Sequence, residues 1–193
     1  MIIDKYTFKE DVGVFSGNDQ YTKNAIDMLY EIKKLDKKSD GHSNKKGWQK
    51  EINKNINFAH LKTMIIDEFI NYFRDSIGNY NMNVSMIKFF ANINSKDAYH
   101  TMHFHEGGQY SGAYWLQGDK DSGNIVIMNP YPNTFINTFA SRISGDNDYN
   151  CLQIIPYSNT GVFFNSNLIH YVDVNRSSKD RIGLGFHLLL KDN

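Results

Sequence analysis

Apolar positions recur along this chain with two different periods. Between Tyr21 and Leu35, residues Ala25, Met28, Leu29 and Ile32 return at three- and four-residue spacing, as do Phe58, Leu61, Ile65, Phe69 and Phe73 further on. These runs predict two amphipathic helices, with the polar, glycine-bearing stretch Lys37 to Lys46 as the loop between them, ending at Gly47-Trp48. From Met82 the pattern changes to short β-rich runs broken by Gly, Asn, Asp and Pro, over 82–93, 100–106, 110–117, 124–128, 134–138, 152–155, 161–164, 168–174 and 181–190. So many short strands predict a mainly β chain, a double-sheet sandwich of the jelly-roll type with the helices over the outside of one sheet. Ser141 to Asn150 is its expected mobile loop.

A length of 193 residues suits one domain with a full core, here a helical support region over 1–80 and a β core over 81–193. Positive and negative side chains balance, 21 against 21, so no global field draws the chain to nucleic acid or to an anionic membrane. The charged start Met1-Ile2-Ile3-Asp4-Lys5 and the lack of any apolar run near the roughly 18 residues of a membrane span lead us to expect a cytoplasmic protein. A single cysteine, Cys151, fits a reducing compartment and has no histidine near it in sequence to activate it.

The histidines carry the candidate chemistry. His103 and His105, at i and i+2 of a predicted strand, point to one face, and His170 on a later strand can complete three imidazole ligands on one side of a transition-metal ion. His100 falls on the opposite face if the strand is regular, and His42, His60 and His187 read as surface or core groups. The polar turn Asn175 to Asp180 predicts that the strand ending at Val174 pairs with the one starting at Arg181, which sets His170 opposite Gly185. On that register Arg181 shares a face with His170 at a separation on the order of 13 Å. Gly183 and Gly185 leave room between them, while Ile182, Leu184, Phe186 and Leu188 form the core face. An arginine so placed suits a carboxylate.

Five segments in order carry a family resemblance: His103-Phe104-His105, Ser111-Gly112-Ala113-Tyr114-Trp115-Leu116, Ser122-Gly123-Asn124-Ile125-Val126-Ile127-Met128-Asn129-Pro130, Gly161-Val162-Phe163-Phe164-Asn165-Ser166-Asn167-Leu168-Ile169-His170, and Arg181-Ile182-Gly183-Leu184-Gly185-Phe186. Together they resemble the Fe(II)- and 2-oxoglutarate-dependent oxygenases, and within them the small oxygenases frequent in phages and marine bacteria. Ser43 to Gln49 is similar to a loop that precedes the second helix in that group. Prolyl 4-hydroxylases show the same order of parts more distantly.

The resemblance implies a double-stranded β-helix in the second half, Fe(II) on His103, His105 and His170, and 2-oxoglutarate with its far carboxylate on Arg181. It implies hydroxylation of a substrate by dioxygen with release of succinate and CO2, the substrate being, through the distant relatives, a prolyl residue in a peptide. The chain departs from the family pattern in three places. His105 stands where most of the superfamily has a carboxylate, and Glu106, facing the other way, does not replace it. Gly183 stands where relatives often carry a serine or threonine beside the arginine, which leaves Tyr99 or Tyr114 as the hydroxyl to assist Arg181. Trp115 stands where relatives commonly have tyrosine. Two other classes stay open on the residues alone, a cupin-type metalloenzyme and a non-catalytic jelly-roll binding domain.

Overall fold

The structure, a computed structural model, describes residues 12–17, 20, 22–77, 82–130 and 151–192. The expected strand at 134–138 and the expected loop Ser141 to Asn150 lie outside these residues, as does Met1 to Lys5.

The two predicted helices are α1 (Thr22–Leu35) and α2 (Ala59–Ile77). Lys33 and Lys34 lie in the last turn of α1, where cations complement the carbonyl end. A short 3-10 turn, Ile56–Phe58, leads into α2, started by the Asn55 side chain accepting from the amide of Asn57. The strands are β1 (Gly13–Ser16), β2 (Asn44–Lys45), β3 (Trp48–Glu51), β4 (Met82–Asn94), β5 (Tyr99–His103), β6 (Tyr110–Gln117), β7 (Ile125–Met128), β8 (Cys151–Ile154), β9 (Thr160–Asn165), β10 (His170–Val172) and β11 (Arg181–Asp192). Three of them precede residue 80, so the expected helical support region also supplies strands. Each is four residues or fewer, too short for a two-residue period to show in sequence.

All pairings are antiparallel and form two sheets, one in the order β1-β9-β6-β11-β4-β3 and the other β2-β5-β10-β7-β8. Alternation along the strands divides the apolar side chains into two layers. Ile182, Leu184, Phe186 and Leu188 of β11, with Phe89 and Ile93 of β4, pack under Leu29 of α1 and Leu61, Ile65 and Phe69 of α2. This is the core face expected for β11, and burying each large side chain contributes about 1.5–3 kcal/mol. Between the sheets lies a smaller layer of Trp115, Ile125, Ile127, Val162, Phe164 and Leu168. The rest of the space between the sheets holds the site.

One expected pairing is not formed. β10 pairs with β5 and β7, whereas β11 pairs with β4 and β6 in the other sheet. The segment after Val172 is a crossover and not a hairpin turn, tied down by Asn175 N–H to Ala98 O (2.9 Å) and Arg176 N–H to Asp121 O (2.8 Å). His170 and Arg181 therefore come from opposing sheets, and His170 lies opposite His103 and Ile127 instead of Gly185.

Candidate active site

The inner face of β11 places Arg181, Gly183, Gly185 and His187 along one wall of a cavity of ≈ 520 Å³. The facing sheet contributes His103, His105 and His170. One possible ligand atom from each of these three imidazoles lies within 4.8 Å of the others. His103 and His170 are register partners across β5 and β10, with ring centroids 4.3 Å apart. His105 lies just beyond β5, its direction fixed by its own amide donating to Ser166 O at 2.9 Å.

Hydrogen bonds assign the ring nitrogens. Nδ1 of His103 donates to Thr101 O at 2.7 Å, and Nδ1 of His170 donates to Leu168 O at 2.9 Å. Nδ1 of His105 meets Ser111 Oγ at 3.0 Å, and that hydroxyl meets Ser166 Oγ at 2.7 Å. In all three Nε2 is left for a metal ion, the arrangement that raises ligand basicity and fixes ring orientation. Burial pushes the ring of His105 down to about 2 and that of His170 to about 4, and lowers His103 as well. Neutral imidazoles are the ligand form, and an imidazole set suits Fe(II).

Arg181 is 2% exposed. One arm, Nη1, donates to three carbonyls, those of Ser122, Gly123 (3.2 Å) and Asp173 (3.0 Å). The cup they form is held shut by Ser177 Oγ on Asp119 (2.8 Å) and by the amides of Arg176 and Ser177 on Asp121 O. Gly123 sits at φ +83°, where a Cβ would meet Asp173 O at 2.4 Å, so only glycine lets these carbonyls converge. The other arm, Nη2, is buried without a hydrogen-bond partner among the described residues. Burial lowers the guanidinium to about 10, which leaves it charged at neutral pH. A buried cation held by carbonyl dipoles, with the charge of Asp173 acting on it from nearby, is poised for an anion.

The two tyrosines expected to assist Arg181 are elsewhere. Tyr114 is fully buried in the helix-side layer, because β6 alternates and it is Ala113 and Trp115 that face the cavity; its hydroxyl donates to Asn159 Oδ1 at 3.3 Å. Tyr99 faces outward because β5 carries a bulge. His103 pairs with His170 but His100 pairs with Val172, three residues against two. The extra residue inverts the alternation upstream of it, so His100, opposite buried Asn44, lines the cavity, and Tyr99 opposite exposed Lys45 does not. His100 was thus missed for a physical reason, since nothing in Tyr99 to His103 signals a bulge. His187 was missed as well. Its ring lies 4.2 Å from that of His105, on the inner parity of β11 shared with Arg181. Ser111 and Ser166 could have been noted as supports, since both fall inside quoted motifs.

Residues 88–187 match the family model described as "Putative 2OG-Fe(II) oxygenase", 2OG being 2-oxoglutarate. Folds of the same class include HygX from Streptomyces hygroscopicus, solved with nickel and 2-oxoglutarate (13% identity, 92% of this chain, 81% of that one, TM-score 0.61). A Pseudomonas putida prolyl-4-hydroxylase is similar too (10% identity, 92% of each chain, TM-score 0.59), as is the viral collagen prolyl hydroxylase of Paramecium bursaria Chlorella virus-1 in its 2-oxoglutarate complex (14% identity, 92% and 94%, TM-score 0.56). No curated protein sequence matches the chain. The architecture is therefore the double-stranded β-helix of the iron(II)- and 2-oxoglutarate-dependent oxygenases. The chain belongs to this family, which decides among the three classes left open by the residues, and its cofactors are Fe(II) and 2-oxoglutarate. Among the described residues no helix is long and apolar enough to cross a membrane.

Proposed function

We propose that this chain is a hydroxylase that holds Fe(II) on Nε2 of His103, His105 and His170, seats 2-oxoglutarate between that ion and Arg181, and adds oxygen to a prolyl residue in a peptide, releasing succinate and CO2. The whole chain acts as one oxygenase domain in a reducing compartment. The observation that carries the reading is a buried arginine whose Nη2 has no hydrogen-bond partner among the described residues, in the same cavity as three neutral imidazoles. A five-carbon diacid meets both demands, with its keto-acid end toward the imidazoles and its far carboxylate toward the arginine. Gly185 lines the path between, where even an added Cβ would have its nearest neighbour, Asn92 Nδ2, at 3.7 Å. Bound iron supplies the oxidative chemistry. The protein's own part is ligation by neutral rings, charge pairing by Arg181, and exclusion of water by Trp115, Ile125 and Val172 on the cavity wall.

Support for a prolyl substrate comes from the two prolyl hydroxylases of the same fold. The test is succinate formation by the iron-loaded protein with pools of proline-containing peptides, amino acids and nucleic acids, followed by mass spectrometry of the consumed species. Peptide-dependent turnover with one oxygen gained on proline supports the reading. Turnover driven only by another pool would move the substrate class.

A further inference from the structure

We infer that His100 is the second group that holds the far carboxylate of 2-oxoglutarate, in the place that Gly183, Tyr99 and Tyr114 leave empty. The inference rests on the seating of the diacid proposed above. A carboxylate offers about four acceptor sites, and a single free arginine arm does not fill them. Gly183 has no hydroxyl, and the two tyrosines face away from the cavity.

His100 is connected to Arg181 through one residue. Arg181 of β11 is the register partner of Asn94 on β4, and Asn94 Nδ2 lies 2.9 Å from His100 Nε2. The amide of Asn94 is oriented in turn, because its Oδ1 accepts from Asn44 Nδ2 at 2.9 Å. The nitrogen of Asn94 therefore donates, His100 Nε2 accepts, and the ring proton is assigned to Nδ1. Nδ1 makes no hydrogen bond among the described residues, and the ring lines the cavity that Arg181 enters. A chain of two buried asparagines thus sets the tautomer of a half-buried histidine and leaves one N–H in the cavity that Arg181 also lines. Burial and the neighbouring Arg181 charge push the ring down to about 3, so it serves as a neutral donor that does not compete with Arg181 for charge.

The experiment is calorimetry on the full chain loaded with Mn(II), with 2-oxoglutarate and with 2-oxopentanoate, which keeps the keto acid but ends in a methyl group. The variants are His100→Phe, which keeps a ring without a donor, and His100→Gln, which keeps a donor without a ring. Arg181→Ala is the reference. His100→Phe should weaken 2-oxoglutarate by roughly tenfold or more, the usual size of a hydrogen bond to a charged group, and leave 2-oxopentanoate unchanged. His100→Gln should keep most of the preference for the diacid. If His100→Phe retains that preference while Arg181→Ala loses it, or if both ligands weaken together, His100 is only a wall and the inference is wrong. If the wild-type chain itself does not prefer the diacid, the seating proposed above fails and the inference fails with it.

Discussion

His103 and His170 face each other across two strands and are fixed in the same way: each ring gives its Nδ1 proton to the carbonyl two residues before it, Thr101 and Leu168 respectively. The backbone itself therefore selects the tautomer of both, and no neighbouring side chain can be mutated to lose it. His105 differs, since its Nδ1 partner is the side chain of Ser111.

Metal stoichiometry follows from this arrangement. The purified chain should bind one Fe(II), or Mn(II) in its place, and alanine at His103 or His170 should abolish that binding. Take-up of 2-oxoglutarate should require the ion. Equal 2-oxoglutarate affinity with and without metal, by calorimetry, contradicts the seating described.

The side-chain support of His105 makes it the adjustable ligand. His105→Asp should retain iron because it supplies an oxygen donor suited to Fe(II), whereas His105→Ala should bind it most weakly. Ser111→Ala should fall between wild type and His105→Ala, by roughly the tenfold to hundredfold expected for loss of an outer partner. An iron titration of the four proteins gives the order, and full affinity in His105→Ala removes His105 from the ligand set.

Arg181→Ala should weaken 2-oxoglutarate by roughly 2–5 kcal/mol, the range for truncating one partner of a buried charge pair. Metal affinity should change little, because the guanidinium and the imidazoles lie on opposite sheets. An unchanged 2-oxoglutarate constant would return Arg181 to a structural role in its carbonyl cup.

Stability of the metal-free chain should fall in mild acid. The rings of His100, His105, His170 and His187 are all lowered by burial from 6.5, to about 3, 2, 4 and 4. The unfolded chain therefore takes up protons that the folded chain refuses, and stability present above pH 6.5 is lost as pH drops from 6.5 toward 4. His170 alone, nearly fully buried, gives a slope of about 1.4 kcal/mol per pH unit in that window. Thermal melts from neutral pH to about 5 check the sign, and a flat profile contradicts it.

Two glycines should respond in opposite ways. A Cβ at Gly112 would meet Val162 O at 2.1 Å and Phe186 at 2.4 Å, so Gly112→Ala should destabilise the fold. At Gly185 the nearest atom is an ordinary 3.7 Å away, so Gly185→Ala should melt like wild type yet bind 2-oxoglutarate less tightly. A binding constant unchanged in Gly185→Ala would show that the cosubstrate does not pass over this position.

The limits of the sequence reading have physical causes. The two helices, the longer strands and the shared face of His103 and His105 were legible, because each rests on local spacing, whereas Arg181 lines the cavity although the hairpin register expected for it is not formed. The pairing of β10 was not legible. A polar turn between two strands looks the same whether the chain folds back or crosses to another sheet, and only the contacts of Asn175 and Arg176 decide it. Tyr114 was misplaced although alternation from Trp115 would have corrected it. Tyr99 and His100 were exchanged because the bulge between His100 and His103 leaves no mark in composition.

That bulge also separates two ends of the same site. Downstream of it, His103 joins the imidazole cluster proposed to hold the metal; upstream, the changed parity turns His100 into the cavity. A relative of equal length in which Tyr99 to His103 ran as a regular strand without the bulge would keep the His-Phe-His signature letter for letter while turning His100 out and Tyr99 in. A search keyed to that signature would score such a chain as unchanged. Within β5, then, the motif alone does not fix which side chains face the cavity, and relatives have to be aligned by strand phase before those side chains are compared.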